Sequence, residues 1–457
     1  MSRLWLAVAS AAVFLLAWTQ SYALEPRRES GIFQIDPPTP YIHYLPSSTP
    51  RGRVLVVHGL DVSKEIMQST SAALADGGFE VYNIDLPGHG DSPVGFQALL
   101  AEQAIQNVLA QIGEDSIVLG HSLGGGLLLD LSATRHFSTM VLLAPAPTFV
   151  PKIHADRALI VTGTFDIPKI RTSVPFLADV GAPNVEWWCL PWGGHGTPIL
   201  SPVHIRHVVE WVGGDGQNVR SSARLIWISV MFIAGVALGA TLRPGRELKG
   251  QPLQIPATLV RYAAACGVAI LILKIVVPLA WLRLFTTDYL VSLLLTAGIL
   301  LWVQERRSLH IDPIAILKGI GAAAFVIFVL GFGAGSQVLH MALSDGRWWR
   351  FPCIVVAGLP LLTFDEMMIR RIDAQWKRLA VAIITRALLW TFIVTGVLLL
   401  NRADAFLVLI AHFIVLFWIL LWFAAGIVYR HTQDPLATAI FAAIVQGWAF
   451  AAWFVTI

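Results

Sequence analysis

Charge and cysteine are what this sequence has least of. Of the three cysteines in 457 residues, only Cys189 lies outside an apolar stretch, so no disulfide can form within a water-exposed part. Nor does any Cys/His group have zinc-ligand spacing, and the three thiols read as small buried hydrophobes. Charged residues make up 13% of the chain and hydrophobic ones 56%, with a mean hydropathy of +0.67. An average soluble protein is about one quarter charged, so much of this chain belongs in lipid. The net charge of +3, with no basic run interleaved with aromatics, excludes a nucleic-acid partner. The length calls for two or more folded units, and there is no internal repeat.

The residues that are present fall into three regions. Residues 1–23 pair a basic start, Arg3, with an apolar run from Leu4 to Trp18 and small residues at Ser21 and Ala23. This reads as a signal peptide cut after Ala23 or as an uncleaved signal anchor, and either sends the next stretch of chain across the membrane. Residues 32–214 alternate strand and helix patterns. Strands are expected at 53–58, 79–84, 116–119, 140–143, 158–161 and 185–188, with helices from Ile66 to Ala75 and from Phe96 to Ile112. Near-continuous β-branched runs separated by helical patterns indicate a mostly parallel sheet covered on both faces, an α/β fold.

Residues 223–457 form an all-α, polytopic membrane domain. Spans are expected near 223–242, 260–283, 288–304, 313–336, 351–369, 379–400, 404–429 and 435–457, most of them close to the roughly 20 residues needed to cross the hydrocarbon core. Pro352 and Pro360 interrupt one span, and Pro278 another. One side of these helices carries Arg243, Arg246, Lys249, Arg306, Arg307, Arg370, Arg371, Lys377, Arg378 and Arg430. The other carries fewer cations: Arg220, Arg224, Arg283, Arg347, Arg350 and Arg402. The positive-inside rule puts the richer side in the cytoplasm and residues 32–214 outside, in agreement with the leader.

The motif with chemical content is Gly120-His121-Ser122-Leu123-Gly124, a G-x-S-x-G between a strand and a helix. So tight a turn needs its glycines, and it lifts the serine hydroxyl above the sheet at the positive end of the following helix. His58-Gly59-Leu60 comes after an earlier strand, where a backbone amide can face the developing oxyanion. The amides of Leu60 and Leu123 are the expected oxyanion hole. An acid and then a histidine should come after the serine. Asp166 closes Thr162-Gly163-Thr164-Phe165-Asp166 after one strand, and His195 sits in Pro191-Trp192-Gly193-Gly194-His195-Gly196 after the last. Ser122 then attacks, His195 carries the proton and Asp166 fixes its tautomer. His204 and His207 lie on a helix pattern and are not part of this set.

Asp85-Leu86-Pro87-Gly88-His89-Gly90-Asp91-Ser92 resembles the D-x-P-G-H-G-x-S loop of the α/β-hydrolase superfamily, in the branch of serine aminopeptidases, monoglyceride lipases and related esterases. The resemblance spans about 180 residues. It implies an α/β-hydrolase fold in which Asp85 and His89 shape the rim of the site rather than react. Relatives carry a helical cap of tens of residues before the strand that leads to the acid; here only Pro145 to Arg157 fills that place, so the cap is minimal. No cofactor or metal is implied.

Lys274, Arg386, His412 and the run Asp365 to Arg370 put ionisable groups in or beside apolar spans. The last run resembles the E-E-x-x-x-R motif of intramembrane CAAX-type proteases. His412, however, has Val408 rather than Phe four residues before it, and no second histidine occurs in a later span. A helix-end charge cluster is the preferred reading. The sequence thus describes a membrane-tethered serine hydrolase, its hydrolase domain outside the cytoplasm of a bacterial cell. Its expected partners are membrane lipids and a lipophilic ester or acyl substrate. A peptidase or amidase with the same triad is one alternative, and a transporter with a regulatory hydrolase domain is another. Nothing in the residues speaks to oligomeric state.

Overall fold

The computed structural model describes residues 3–146, 153–181, 184–241, 254–276, 280–305, 311–344, 346–372, 374–402 and 406–457. They form two compact units. One comprises Val8–Gly235, Phe332–Asp345 and Val455–Ile457; the other comprises Met1–Ala7, Val236–Gly331 and Gly346–Phe454.

The first unit is built on an eight-stranded sheet. Its strands are β1 (Arg28–Phe33), β2 (Thr39–Tyr44), β3 (Arg53–Val57), β4 (Glu80–Ile84), β5 (Ile117–His121), β6 (Phe137–Leu143), β7 (Ala155–Gly163) and β8 (Val185–Leu190). They lie in the order β1-β2-β4-β3-β5-β6-β7-β8. β2 runs antiparallel to both β1 and β4, and all other neighbours are parallel. Successive side chains of a strand point to opposite faces, and here both faces are buried. Leu55, Val57, Val118, Met140, Leu142, Ala158 and Ile160 enter one core. Their neighbours Val54, Val56, Leu119, Val141, Leu143, Leu159 and Val161 enter the other. That is why these strands read as unbroken apolar runs.

All six expected strands are present. β1 and β2 were not expected, and the domain start placed at Ile32 falls inside β1. The reason is their position: β1 is an edge strand with one partner and the polar sequence Arg-Glu-Ser-Gly-Ile-Phe, and β2 contains Pro40. An edge strand can do without a continuous apolar run, and Pro40 breaks the pattern of β2, which is paired on both sides.

Helices cover the sheet. Three place the site: α2 (Gln68–Asp76), α3 (Ala98–Ile112) and α4 (Leu123–Ser132), with α5 (Pro168–Gly181) after β7. The N-terminal helix α1 (Arg3–Ala23) belongs to this unit from Val8 onward. Its Ala17 joins Met231 and Ala334 in a small apolar cluster, and Arg224 donates to the carbonyl of Leu24 at 3.0 Å.

The second unit is helical. Each of the eight stretches expected after residue 223 contains a helix. Including α1, eight helices among the described residues are long and apolar enough to cross a membrane, and Thr287–Val303 is a shorter apolar helix. Helix Arg350–Ile369 runs on through Pro360, while Pro352 sits in its first turn, where the missing N–H costs nothing. Arg347, fully buried, donates to the carbonyls of Ala451 and Phe454 at 3.1 and 2.7 Å and so closes the end of helix Pro435–Trp453. Asp365 pairs with Arg386 of helix Gln375–Leu400 at 3.0 Å, and Glu366 with Arg370 at 2.7 Å. Lys274 is exposed on its helix. Arg243, Arg246, Lys249, Pro278, Arg306, Arg307, the side chain of His412 and the 147–152 part of the short cap lie outside the described residues.

Candidate active site

The site gathers on the loops that leave the C-terminal ends of β3, β5, β7 and β8. After β5 the chain turns sharply at Ser122, which has φ 52° and ψ −113°, and α4 begins at the next residue. A non-glycine residue with positive φ is strained, and two glycines let the turn exist. A Cβ on Gly120 would lie 2.6 Å from the backbone carbon of Gly124, and one on Gly124 would lie 2.6 Å from the carbonyl oxygens of Val57 and His58. Strand and helix therefore approach as closely as backbone permits. The Ser122 amide is engaged with the Leu143 carbonyl at 2.9 Å, which leaves the hydroxyl as the group the turn presents.

The three residues singled out from the sequence come together. His195 Nε2 lies 2.9 Å from Ser122 Oγ, and His195 Nδ1 lies 2.8 Å from Asp166 Oδ1. Asp166 is 3% exposed, and the same Oδ1 also accepts the Ile167 amide at 2.7 Å. The short bonds Phe165 N–H to the Gly193 carbonyl (2.8 Å) and Trp192 N–H to Thr164 Oγ1 (3.0 Å) tie the loop of the acid to the loop of the histidine. With the proton on Nδ1, the imidazole faces the serine with a lone pair and the carboxylate with a donor. This arrangement is able to take a proton from a serine hydroxyl.

The two expected oxyanion amides flank the same turn. Leu123 is the first residue of α4, where backbone N–H groups have no partner within the helix. Leu60 is next to Gly59, and a Cβ on Gly59 would come within 3.0 Å of Ser122 Cβ. His58 stiffens that loop from below. It is fully buried; Nδ1 donates to the Gly59 carbonyl at 2.7 Å, and Nε2 accepts the Leu86 amide at 3.0 Å. Burial lowers its pKa and favours the neutral ring that this bonding pattern requires.

Asp85 and His89 are engaged in the rim loop. Asp85 accepts the amides of Lys64 and Asp91, each at 2.9 Å, and the Lys64 ammonium at 2.5 Å, while His89 Nδ1 donates to the Pro87 carbonyl at 2.8 Å. His204 bonds Ser201 Oγ at 2.8 Å, and His207 packs edge-on against Trp188, so neither joins the site.

Sequence reasoning missed His121, the variable position of the G-x-S-x-G motif. It is 5% exposed, and its Nε2 donates to the backbone carbonyl of His195 at 3.1 Å, so it holds the loop of the histidine from the side of the serine. Burial, reinforced by the neighbouring His195, pushes its pKa down to about 3 and keeps it a neutral donor. No signal in the sequence separates it from any other residue at that position. Of three tryptophans close to His195, Trp187 bonds Thr162 Oγ1 at 2.9 Å and Trp188 packs on a core. Trp192 is different. It is 85% exposed, and its ring lies 5.8 Å from that of Phe165, itself 65% exposed. The loops of the acid and the histidine thus share an exposed aromatic pair.

Strand order, the turn after β5, the acid after β7 and the histidine after β8 together define an α/β-hydrolase domain, joined in this chain to a region of long apolar helices. Within that class, residues 48–165 match the family model described as serine aminopeptidase, S33. Over 98 residues, 21% of this chain, the sequence is 36% identical to the pimeloyl-[acyl-carrier protein] methyl ester esterase of Pectobacterium carotovorum subsp. carotovorum. The match spans only 38% of the length of that esterase. Among solved structures, the Paleococcus ferrophilus monoacylglycerol lipase is 20% identical, with a TM-score of 0.34, covering 38% of this chain and 98% of the lipase. The Bacillus subtilis carboxylesterase CesB is 17% identical, with a TM-score of 0.36, covering 45% of this chain and all of the esterase.

Proposed function

We propose that this protein is a membrane-bound serine hydrolase that cleaves carboxylic esters of lipophilic or acyl-lipid substrates through Ser122, His195 and Asp166. One observation carries the proposal: the unbroken relay from Ser122 Oγ to His195 Nε2 at 2.9 Å and from His195 Nδ1 to Asp166 Oδ1 at 2.8 Å, mounted on the strained turn at Ser122. Ser122 Oγ attacks the ester carbonyl while His195 Nε2 takes its proton. The negative charge on the carbonyl oxygen is met by the amides of Leu60 and Leu123. His195, now an imidazolium stabilised by Asp166, passes the proton to the leaving alcohol, and an acyl group remains on Ser122. Water, deprotonated by the same histidine, releases the acid and restores the serine. The esterase similarity over 98 residues favours an ester over an amide. The exposed Phe165–Trp192 pair beside the loops of Asp166 and His195 favours a lipophilic acyl group.

The same reading assigns α1 as a retained anchor, since Ala17 and Leu24 are engaged by the helix that begins at Ser221. It puts the hydrolase domain on the outer, periplasmic side of a bacterial membrane.

The test is covalent. Wild-type protein should react with a fluorophosphonate at Ser122, and Ser122→Ala should neither label nor turn over a short water-soluble ester above background. A mutant that labels like the wild type would end the proposal.

A further inference from the structure

A second group of ionisable side chains gathers in the sheet unit on elements the triad does not use. Lys64 and Glu65 open the short helical turn Lys64–Met67; Asp85 and Asp91 lie in the rim loop after β4; and His340 comes from the segment Phe332–Asp345. Lys64 Nζ lies 2.5 Å from Asp85 Oδ2, 2.6 Å from Asp91 Oδ2 and 3.3 Å from Glu65 Oε1. The ammonium thus takes one oxygen from each carboxylate. On the other side, Glu65 Oε2 and His340 Nε2 are buried with no hydrogen-bond partner among the described residues, and Asp91 Oδ1 lies 3.6 Å from that same His340 Nε2. Three carboxylates thus surround one ammonium.

The imidazole adds a nitrogen to this group of oxygens. His340 Nδ1 lies 3.4 Å from Glu65 Oε1, and His340 itself is 5% exposed. With its proton on Nδ1, directed at Glu65, the ring turns the bare lone pair of Nε2 toward Asp91 Oδ1. Two lone pairs at that distance repel unless a cation lies between them. A separation of 3.6 Å is long for an N–H···O hydrogen bond. It is close to the ligand–ligand edge of a tetrahedral site with bonds of about 2.1 Å, which is roughly 3.4 Å.

We propose that His340 Nε2, Glu65 Oε2 and Asp91 Oδ1 bind one divalent transition-metal cation, with Zn²⁺ the best match to one imidazole and two carboxylates. Glu65, Asp91 and His340 each offer a ligand atom, and these lie within 4.8 Å of one another. The Nδ1–H directed at Glu65 Oε1 is the outer partner that a metal-bound imidazole ordinarily keeps. The Asp91 side chain is 42% exposed, which gives the ion a path in and water a fourth position. Bound there, the ion fastens Phe332–Asp345 to the rim loop, beside the bonds Ser344 Oγ to the Gly90 carbonyl (3.1 Å) and Gln68 Nε2 to the Ser336 carbonyl (3.0 Å).

The full-length chain in detergent, stripped with a chelator and dialysed at pH 8 against micromolar Zn²⁺, should retain one equivalent by elemental analysis. His340→Ala and Asp91→Asn should each bind at least tenfold more weakly, while a His204→Ala/His207→Ala control keeps the wild-type stoichiometry. Co²⁺ in place of Zn²⁺ should give the visible absorption of a tetrahedral site, lost in His340→Ala. Should His340→Ala fail to fold, Asp91→Asn decides. Wild-type protein that takes up no stoichiometric metal, or variants that bind as the wild type does, would overturn the assignment.

Discussion

Replacing Asp166 with asparagine probes the relay without changing its shape. Asp166 Oδ1 accepts two donors, His195 Nδ1 at 2.8 Å and the Ile167 amide at 2.7 Å, whereas Oδ2 is buried with no partner among the described residues. Asparagine can sit in two ways. If its oxygen keeps the Oδ1 place, both bonds survive and the NH₂ is buried without an acceptor, at a cost of about 1–3 kcal/mol in stability. If the amide flips, its NH₂ points at the Ile167 N–H and at His195. The ring must then carry its proton on Nε2, facing Ser122, where it cannot act as a base. In both cases the imidazolium of the transition state loses the carboxylate that stabilised it. The change corresponding to this one in a Ser-His-Asp enzyme costs about 10⁴ in kcat, which is roughly 5.5 kcal/mol of barrier. The assay is steady-state hydrolysis of a p-nitrophenyl ester, normalised to folded protein by circular dichroism. Asp166→Asn should fall by three to four orders of magnitude in kcat with KM little changed. A variant within tenfold of the wild type would refute the relay as the source of reactivity.

The geometry sets three further outcomes. His121 is neutral and buried, with its pKa pushed to about 3, so between the ordinary histidine value near 6.5 and that point the unfolded state binds the extra proton; stability is lost as pH falls through this window. Thermal melts should show this acid slope, and His121→Gln, which keeps a donor for the His195 carbonyl, should flatten it; an unchanged slope would remove His121 from the account. Trp192→Ala should lower kcat/KM for long-chain esters by about tenfold while sparing acetate esters, since about 0.8 kcal/mol attaches to each methylene that loses cover; equal losses on both would assign Trp192 to loop structure alone. Reporter fusions after Gly214 and after Ile457 should both signal the periplasm and one at Ser308 the cytoplasm, and a cytoplasmic signal at Gly214 would reverse the orientation.

The parts of the fold that were legible in the sequence are those where one local signal suffices. Val54 to Val57 and Ala158 to Val161 are buried on both faces, so their strands announce themselves without knowledge of their neighbours. Ser122 and Asp166 come soon after such strands and His195 after the edge strand β8, and their order alone proposes their meeting. β1 was illegible because an edge needs only one partner and tolerates Gly31, and β2, paired on both sides, because Pro40 breaks its pattern. His121 was illegible because its task, holding a carbonyl of a loop 74 residues away, leaves no mark on its surroundings in the chain. The group around His340 was further out of reach, since it joins side chains 275 residues apart.

The residues Val455–Ile457 belong to the sheet unit. Thr456 donates its amide to the Gly88 carbonyl at 2.9 Å and accepts the Phe96 amide at 2.7 Å, and the Val455 amide reaches Asp61 Oδ1 at 3.1 Å. Gly88 and Thr456 are 368 residues apart, with every long apolar helix but α1 between them. During synthesis every strand of the sheet is therefore made before the residues that bond Gly88 and Phe96. These bonds thus come after the long apolar helices have been made, and a chain that stops short of Val455 lacks them.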